Sequence, residues 1–334
     1  MFQRLVYRLG VFFLSGILPL VAFAQSNPDD AEMGKLLQSI QSAARKLSYS
    51  GTFVYQQGNQ IRTSRITHGY DGDVEVEKLE ILDGKPREYV RRNGEVNCYL
   101  PESKTIQVEK NLTQEEFPAL LNESANLLPQ SYLIRKAQMS RVAGAECQVL
   151  SLQPKDSSRY GFKLCVEKNT NLLLGIQTLN PRQEVIEQIA FTQVSIGDID
   201  KSRLKPSYSG IANWKTEYLT VKANVNSGWS VKSLPAGYKK TLETRRLIPM
   251  SASAAGNDSN VVKSHEVVQM MFSDGLSTFS VFIEPNLGNR TEGSLQQGAM
   301  TITSKRLGEH WLTVVGEVPS AAIKQVVSSI QFKK

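Results

Sequence analysis

Cys147 and Cys165 stand at the two ends of "CQVLSLQPKDSSRYGFKLC" and are the first pair whose chemistry is open: metal site, redox centre or covalent staple. Zinc needs four ligands at close spacing, and neither a histidine nor the third cysteine, Cys98, lies nearby. A dithiol redox centre needs Cys-x-x-Cys, which is absent. A hairpin turning near Asp156 sets Cys147 opposite Cys165, Leu150 opposite Phe162 and Leu152 opposite Tyr160. In that register the two sulfurs share the more polar face with Ser151 and Lys163, close enough for a cross-strand bond. The spacing favours a disulfide, with unpaired buried thiols as the alternative. Cys98 reads as a structural thiol on a face with Tyr89, Val96 and Leu100.

Other reactive side chains form no recognisable constellation. His68, His265 and His310 are scattered and match no metalloprotease or deaminase spacing. Gly275-Leu276-Ser277 begins like a nucleophile elbow but lacks the second glycine. Ser277 therefore carries only the reading of an unrecognised hydrolase. Asp71, Asp73, Glu75 and Glu77 line one side of a strand and read as a solvated face, without the further ligands that calcium or acid/base catalysis needs. No phosphate-binding loop or dinucleotide fingerprint is present. No catalytic residue, metal or cofactor is expected. The basic clusters Arg87/Arg91/Arg92 and Lys239/Lys240/Arg245/Arg246 lack a base-stacking platform, so nucleic acid is not an expected partner.

Redox chemistry depends on compartment, and the amino terminus addresses that. Arg4 and Arg8 precede an uncharged run from Val11 to Phe23, and "AFA" supplies the small residues of a cleavage site. This is the tripartite export signal, assigned to residues 1–24. Residue 25 is Gln, so a lipid-anchored mature terminus is not expected. The chain that remains has length for about two domains. Its formal charge is +7, two units of which belong to the leader arginines. An exported, mildly basic protein favours anionic partners, and exposed thiols in that compartment become oxidised.

The elements that must position these residues are mostly strands. Leu36, Leu37, Ile40, Ala44 and Leu47 recur at helical spacing after Pro28, Asp29 and Asp30. Asp71-Gly72, Asp83-Gly84 and Asn93-Gly94 then punctuate a meander, as two-residue hairpin turns do. Between about 111 and 140 the pattern suggests two short helices or a lid, with Thr113 and Glu116 as a capping box. Strands resume from Gly144 to Ile196. Lys201 to Lys215 is aperiodic and reads as an interdomain linker, whose bounds are set at 205–216. A second β-rich unit follows: "VVQMMF" and "TFSVFIEP" flank "SDGLS", "TITSKRL" and "WLTVVGEVP" flank Gly308-Glu309, and a helix capped by Ser320 buries Ile323, Val326, Val327 and Ile330.

The fold class is α+β, mostly antiparallel β. An antiparallel sheet that curls without closing leaves a concave apolar face, and a loose cover over it admits an acyl chain. Candidate lining residues are Phe53, Tyr55, Tyr89, Leu100, Leu120, Leu121 and Tyr132.

From about Leu47 to Phe332 the chain resembles the RseB/MucB family of periplasmic regulators of the envelope-stress sigma factor. The resemblance rests on "SGTFVY", "LDGKPREYVRRNGEV", "RVAGAECQVL", "RYGFKL" and "EQIAFTQV", then on Trp229 with "LPAGY", "FSDGLSTFSVFIEP" and "TVVGEVP". It implies a periplasmic, LolA/LolB-like half-open barrel with helices in its concavity, assigned to 25–204, and a smaller C-terminal α+β domain, assigned to 217–334. It implies binding to the periplasmic domain of an anti-sigma factor of the RseA or MucA kind, shielding it from proteolysis, with lipid or lipopolysaccharide fragments releasing the complex. Arg245, Arg246, Asp274, Phe279 and Phe282 are the candidate partner contacts in the second unit. A lipid or lipoprotein carrier without regulatory role is the alternative, and self-association is left open. The Cys147–Cys165 bond is not implied by the resemblance and stands on the hairpin alone.

Overall fold

The computed structural model describes residues 28–110, 128–219, 221–223, 225–249, 264–288 and 290–333. The signal, Leu120, Leu121 and the Thr113/Glu116 cap lie outside the described residues. The first unit opens with helix α1 (Pro28–Lys46) and continues through β1 (Tyr49–Gln57), β2 (Gln60–Asp71), β3 (Val74–Ile81), β4 (Arg87–Arg92), β5 (Glu95–Leu100) and β6 (Thr105–Lys110). A short helix, α2 (Leu128–Ser131), leads into β7 (Tyr132–Val142), β8 (Ala145–Pro154), β9 (Gly161–Glu167), β10 (Leu173–Leu179) and β11 (Val185–Ile196). Together with β12 (Lys215–Leu219) these strands form a twelve-stranded sheet in the order β12-β6-β5-β4-β3-β2-β1-β11-β10-β9-β8-β7. The sheet curls so far that β7 approaches β11, yet its two ends do not pair.

Helix α1 lies on the side of the sheet formed by β8 to β10. Leu37 and Ile40 are buried with Leu150, Leu152, Phe162, Leu164 and Ile176. Burying side chains of this size is worth about 1.5–3 kcal/mol each. The C-terminal carbonyls of the helix, which have no partner within it, are met by the sheet: the Tyr70 hydroxyl donates to Arg45 O at 2.6 Å, and His68 Nδ1 lies 2.7 Å from Leu47 O.

The second unit adds β13 (Val221–Ala223), β14 (Trp229–Val231), β15 (Lys239–Pro249), β16 (Ser264–Ser273), β17 (Thr278–Pro285), β18 (Gly293–Gln297), β19 (Met300–Leu307), β20 (His310–Gly316), α3 (Ser320–Ser328) and β21 (Ile330–Phe332). Seven strands form a sheet in the order β13-β15-β16-β17-β20-β19-β18, and β14 pairs with β21. Ala322, Ile323 and Val326 of α3 pack on Met270, Phe279, Val281, Leu312 and Val314. The helix starts one residue earlier than the cap expected from sequence implies: Pro319 is the N-cap, Ser320 is already helical, and no side chain caps the end.

Several expectations need correction. The segment read as helices or a lid turns extended at Tyr132, where the edge strand β7 (Tyr132–Val142) begins: Ile134 packs toward the core, while Leu133 and Met139 sit exposed among charged side chains. The first hairpin turns on Gly72-Asp73, since Asp71 pairs with Val74. The segment that holds the expected linker packs on the first unit. Leu204 is buried with Val76, Val90 and Tyr99, Trp214 packs edge-on against Tyr99, and Lys78 donates to Lys205 O and Ser207 Oγ. The chain then adds β12 in parallel to β6 and crosses to the second sheet only between Leu219 and Val221.

The β8–β9 register also differs. Leu152 pairs with Phe162 and Val149 with Cys165, so every partner is two residues away from the sequence expectation. A shift of two preserves sidedness. Cys147 and Cys165 become diagonal neighbours with Cα atoms 5.4 Å apart, joined in a disulfide. Their surroundings are apolar: both are buried with Tyr49, Ile66, Leu172 and Leu174.

One residue pins the neighbouring turn. Buried Glu167 accepts from Thr170 N and Thr170 Oγ1, each at 2.6 Å, and from Asn169 N at 3.0 Å. Burial works to raise its pKa, but the hydrogen bonds outweigh it and hold the carboxyl below its ordinary 4.5. A depressed folded pKa gives stability that is present above the unfolded value and is lost as pH falls through the folded one. Glu167→Gln is expected to cost about 1–3 kcal/mol at neutral pH. The gap from the parent should close in acid below about pH 4. Urea midpoints at the two pH values check this.

Candidate functional site

The two units meet around the loop between β16 and β17. Asp274 folds that loop on itself: Oδ1 accepts from Leu276 N at 3.0 Å and Ser277 N at 2.8 Å. Its second oxygen is thereby aimed out of the loop, at Arg159 of the β8–β9 turn. Arg159 Nε lies 3.1 Å from Oδ2, and the side chains are 1% and 0% exposed. The N–H is not directed at the oxygen, so the contact is ionic rather than a well-aligned hydrogen bond. The rest of the guanidinium is occupied by Asp156 Oδ2 at 3.0 Å and by Ala236 O. Tyr132 and Tyr238 hold their rings over it, with centroids 5.7 Å and 5.3 Å away. Such cation–π contacts are worth about 2 kcal/mol when desolvated.

The electrostatics follow from burial. Desolvation raises the Asp274 pKa above the ordinary aspartate value, opposed by the Ser277 and Leu276 amides and by Arg159. The Tyr132 hydroxyl is pushed well above the usual phenol range, by burial first and the Asp274 charge second. Gly237 has φ of 82°, and a Cβ there would stand 2.7 Å from Ser131 Oγ. The close approach at the junction therefore requires glycine.

Three further contacts join the units. Leu276 and Ala299 of the second unit complete the apolar core of the first. Gln296 donates to the Tyr160 hydroxyl at 3.0 Å, and a Cβ on Gly298 would stand 2.5 Å from Gln57. Arg246 lies 2.9 Å from Glu109 of β6. Beside the second of these contacts a crevice of about 210 Å³ opens between the units, lined by Tyr55, Gln57, Gln60 and Arg62 on one side and Leu295, Gln297, Met300 and Ile302 on the other. Behind it Glu187 accepts from Tyr55 at 3.0 Å and Gln57 at 3.0 Å, and burial raises its pKa.

The residues chosen from sequence are distributed differently. Tyr55 reaches the crevice, while Phe53 is buried edge-to-face against Phe191. Tyr132 belongs to the buried junction. Tyr89 and Leu100 are half-buried on β4 and β5, away from both. Of the partner candidates, Asp274 and Phe279 are 4% and 1% exposed and present no surface to a partner: one binds Arg159, the other fills the core under α3. Arg245 pairs with Glu266 and Arg246 with Glu109, and Phe282 is half-buried on β17. Ser277 is buried beside Tyr132, in a hairpin turn rather than a strand-to-helix elbow. The four carboxylates read as a solvated face include two held by cations, Asp71 by Arg92 and Glu77 by Arg91, and Glu75 faces His68. Sequence reasoning missed Arg159, Tyr238, Gly237 and Gln296. Arg159 opens "RYGFKL", and Gly237 and Tyr238 close "LPAGY"; both stretches carried the family resemblance, but neither was read as a contact between the units.

Comparison with known proteins covers both units. The family model described as the MucB/RseB N-terminal domain matches residues 32–208, and that of the MucB/RseB C-terminal domain matches 223–331. The sigma factor AlgU regulatory protein MucB of Pseudomonas aeruginosa is 29% identical over 310 residues, covering 90% of this chain and 91% of that one. The sigma-E factor regulatory protein RseB of Escherichia coli K12 is 24% identical, covering 96% of each. Among solved structures, MucB in complex with MucA(peri) superposes with a TM-score of 0.68 at 28% identity, covering 90% of this chain and 99% of that one. A crystal structure of MucB also matches, with a TM-score of 0.63 at 28% identity, covering 91% and 98%.

Proposed function

Because the chain belongs to the MucB/RseB family, we propose that it is a periplasmic negative regulator of an envelope-stress sigma factor. It binds the periplasmic region of a membrane-embedded anti-sigma factor and shields that region from proteolysis. The observation that carries the reading is the match of both units, in order and nearly end to end, to MucB crystallised with MucA(peri). Two units braced by a buried ion pair and flanking a crevice suit a binding protein, which needs a fixed composite surface rather than a reacting group.

Lipid sensing forms the second half of the proposal. The curled first sheet buries apolar side chains on the side where α1 lies, and a guest acyl chain gains about 0.8 kcal/mol per buried CH₂. Release by lipid requires lipid to prefer the partner-free form, and the partner then weakens lipid binding by the same factor. Calorimetric titration of the full mature chain with the purified periplasmic region of the same cell's anti-sigma factor tests this. A Kd near or below about 1 μM, weakened by lipopolysaccharide, supports the reading. Absence of binding overturns it, and binding indifferent to lipid overturns the sensing half.

A further inference from the structure

The ends of a sheet are where a chain recruits foreign strands, and folded proteins blunt them with charge, bulges or proline. The first sheet does so. Its edge strand β7 carries Arg135, Lys136 and Arg141 and a register break between Lys136 and Met139, and its other edge, β12, carries Lys215 and Glu217. The edge of the second sheet at β18 differs. "GSLQQ" has no charge and no proline, pairs with β19 without a break, and is exposed at every position. Leu295 is 64% exposed, and Ile302, its partner on β19, is 38% exposed.

This bare edge borders the crevice between the units. Leu295 and Gln297 of β18 form part of one wall, and Arg62 stands on the other. Arg62 is exposed and has no ion-pair partner among the described residues. Of the carboxylates near Tyr55, Glu187 is 5% exposed and turned to Tyr55 and Gln57, and Glu317 also acts on the Tyr55 hydroxyl through its charge. The crevice thus offers a strand edge for main-chain hydrogen bonds and an apolar strip on one wall, and an exposed cation on the other.

We propose that β18 is the docking edge for an extended segment of about five residues from the anti-sigma partner, which adds a strand to the second sheet. Alternate side chains of an added strand face the same side. Those facing the crevice are apolar against Leu295 and Ile302, with an acidic residue at the position that reaches Arg62. The proposal rests on the anti-sigma reading given above and deepens it by naming the contact surface.

The test titrates the full mature chain, and its Leu295→Lys and Arg62→Glu variants, with the purified periplasmic region of the cell's anti-sigma factor. Both positions are exposed, so the variants should keep the parent's thermal midpoint. Each is expected to weaken binding at least tenfold, whereas Met139→Lys on the charged β7 edge leaves it within twofold. Amide hydrogen exchange of residues 294–297 should slow in the complex. Parent binding with both crevice variants unaffected and no new protection overturns the docking edge and leaves the anti-sigma reading intact. No parent binding overturns that reading and the edge with it. A parent that dimerises alone, and is made monomeric by Leu295→Lys, overturns the proposed occupant in favour of a second copy.

Discussion

Asp274→Ala is expected to cost about 3–5 kcal/mol, because it leaves the Arg159 guanidinium buried without its counter-ion. The charge that remains has Asp156 on one side only, and Asp156 is itself partly exposed. The substitution also frees the Leu276 and Ser277 amides, which Asp274 Oδ1 now accepts, so the loop loses its shape. Leu276 is the residue that loop delivers into the core of the first unit. Denaturant unfolding followed by tryptophan fluorescence should show a lowered midpoint, with the two units no longer melting together. Replacing both partners, as Arg159→Met with Asp274→Leu, should recover the part of the loss that comes from the unpaired charge, since an apolar pair suits a dry site at least as well as an ionic one, but not the part that comes from the two freed amides. The pH dependence has a defined sign. Burial raises the Asp274 pKa above 3.8, so its ionisation costs the folded state stability as pH rises through that window. The double variant should lack that slope.

What the sequence conveys about this junction is limited by what is local. Asn93-Gly94 and "TFSVFIEP" were legible because a turn and an alternating strand are decided by neighbours a few residues apart, and the structure places β17 at Thr278–Pro285. The apolar face of α3 was legible for the same reason. Arg159 was not. Its surroundings in sequence, "KDSSRYG", describe a solvated turn, and only the arrival of Ala236, Tyr238 and Asp274 from the other unit makes the turn dry. Asp274 and Phe279 illustrate the converse. Both were drawn into the candidate partner surface by a motif that is distinctive, and both are buried because the motif's distinctiveness comes from packing. The candidate lipid residues were chosen by type, and burial separated them: Phe53 went to a core, Tyr132 to the junction and Tyr55 to the crevice.

The cysteine pair shows how a wrong register can retain a right neighbourhood. The expected turn was centred on Asp156, whereas β8 ends at Pro154 and β9 begins at Gly161, which moves the centre by one residue and each pairing by two. The sulfurs stay on one side and meet diagonally. Opening that bond has a calculable consequence. The cysteines are 18 residues apart, and a loop of that size removes about 3 kcal/mol of chain entropy from the unfolded state. Replacing both by alanine also leaves room in an apolar cluster that holds Tyr49, Ile66, Leu172 and Leu174, and a cavity adds its own cost. The double variant Cys147→Ala/Cys165→Ala is expected to lose at least that amount in denaturant unfolding. Reduction of the parent under denaturing conditions should lower its refolded stability by a similar amount, without the cavity contribution. Because both sulfurs are buried, a reductant acting on the native protein must wait for local opening, so reduction should be slow and should accelerate with urea. Fast reduction of the folded chain, or a double variant as stable as the parent, would show that the bond does not brace the β8–β9 hairpin.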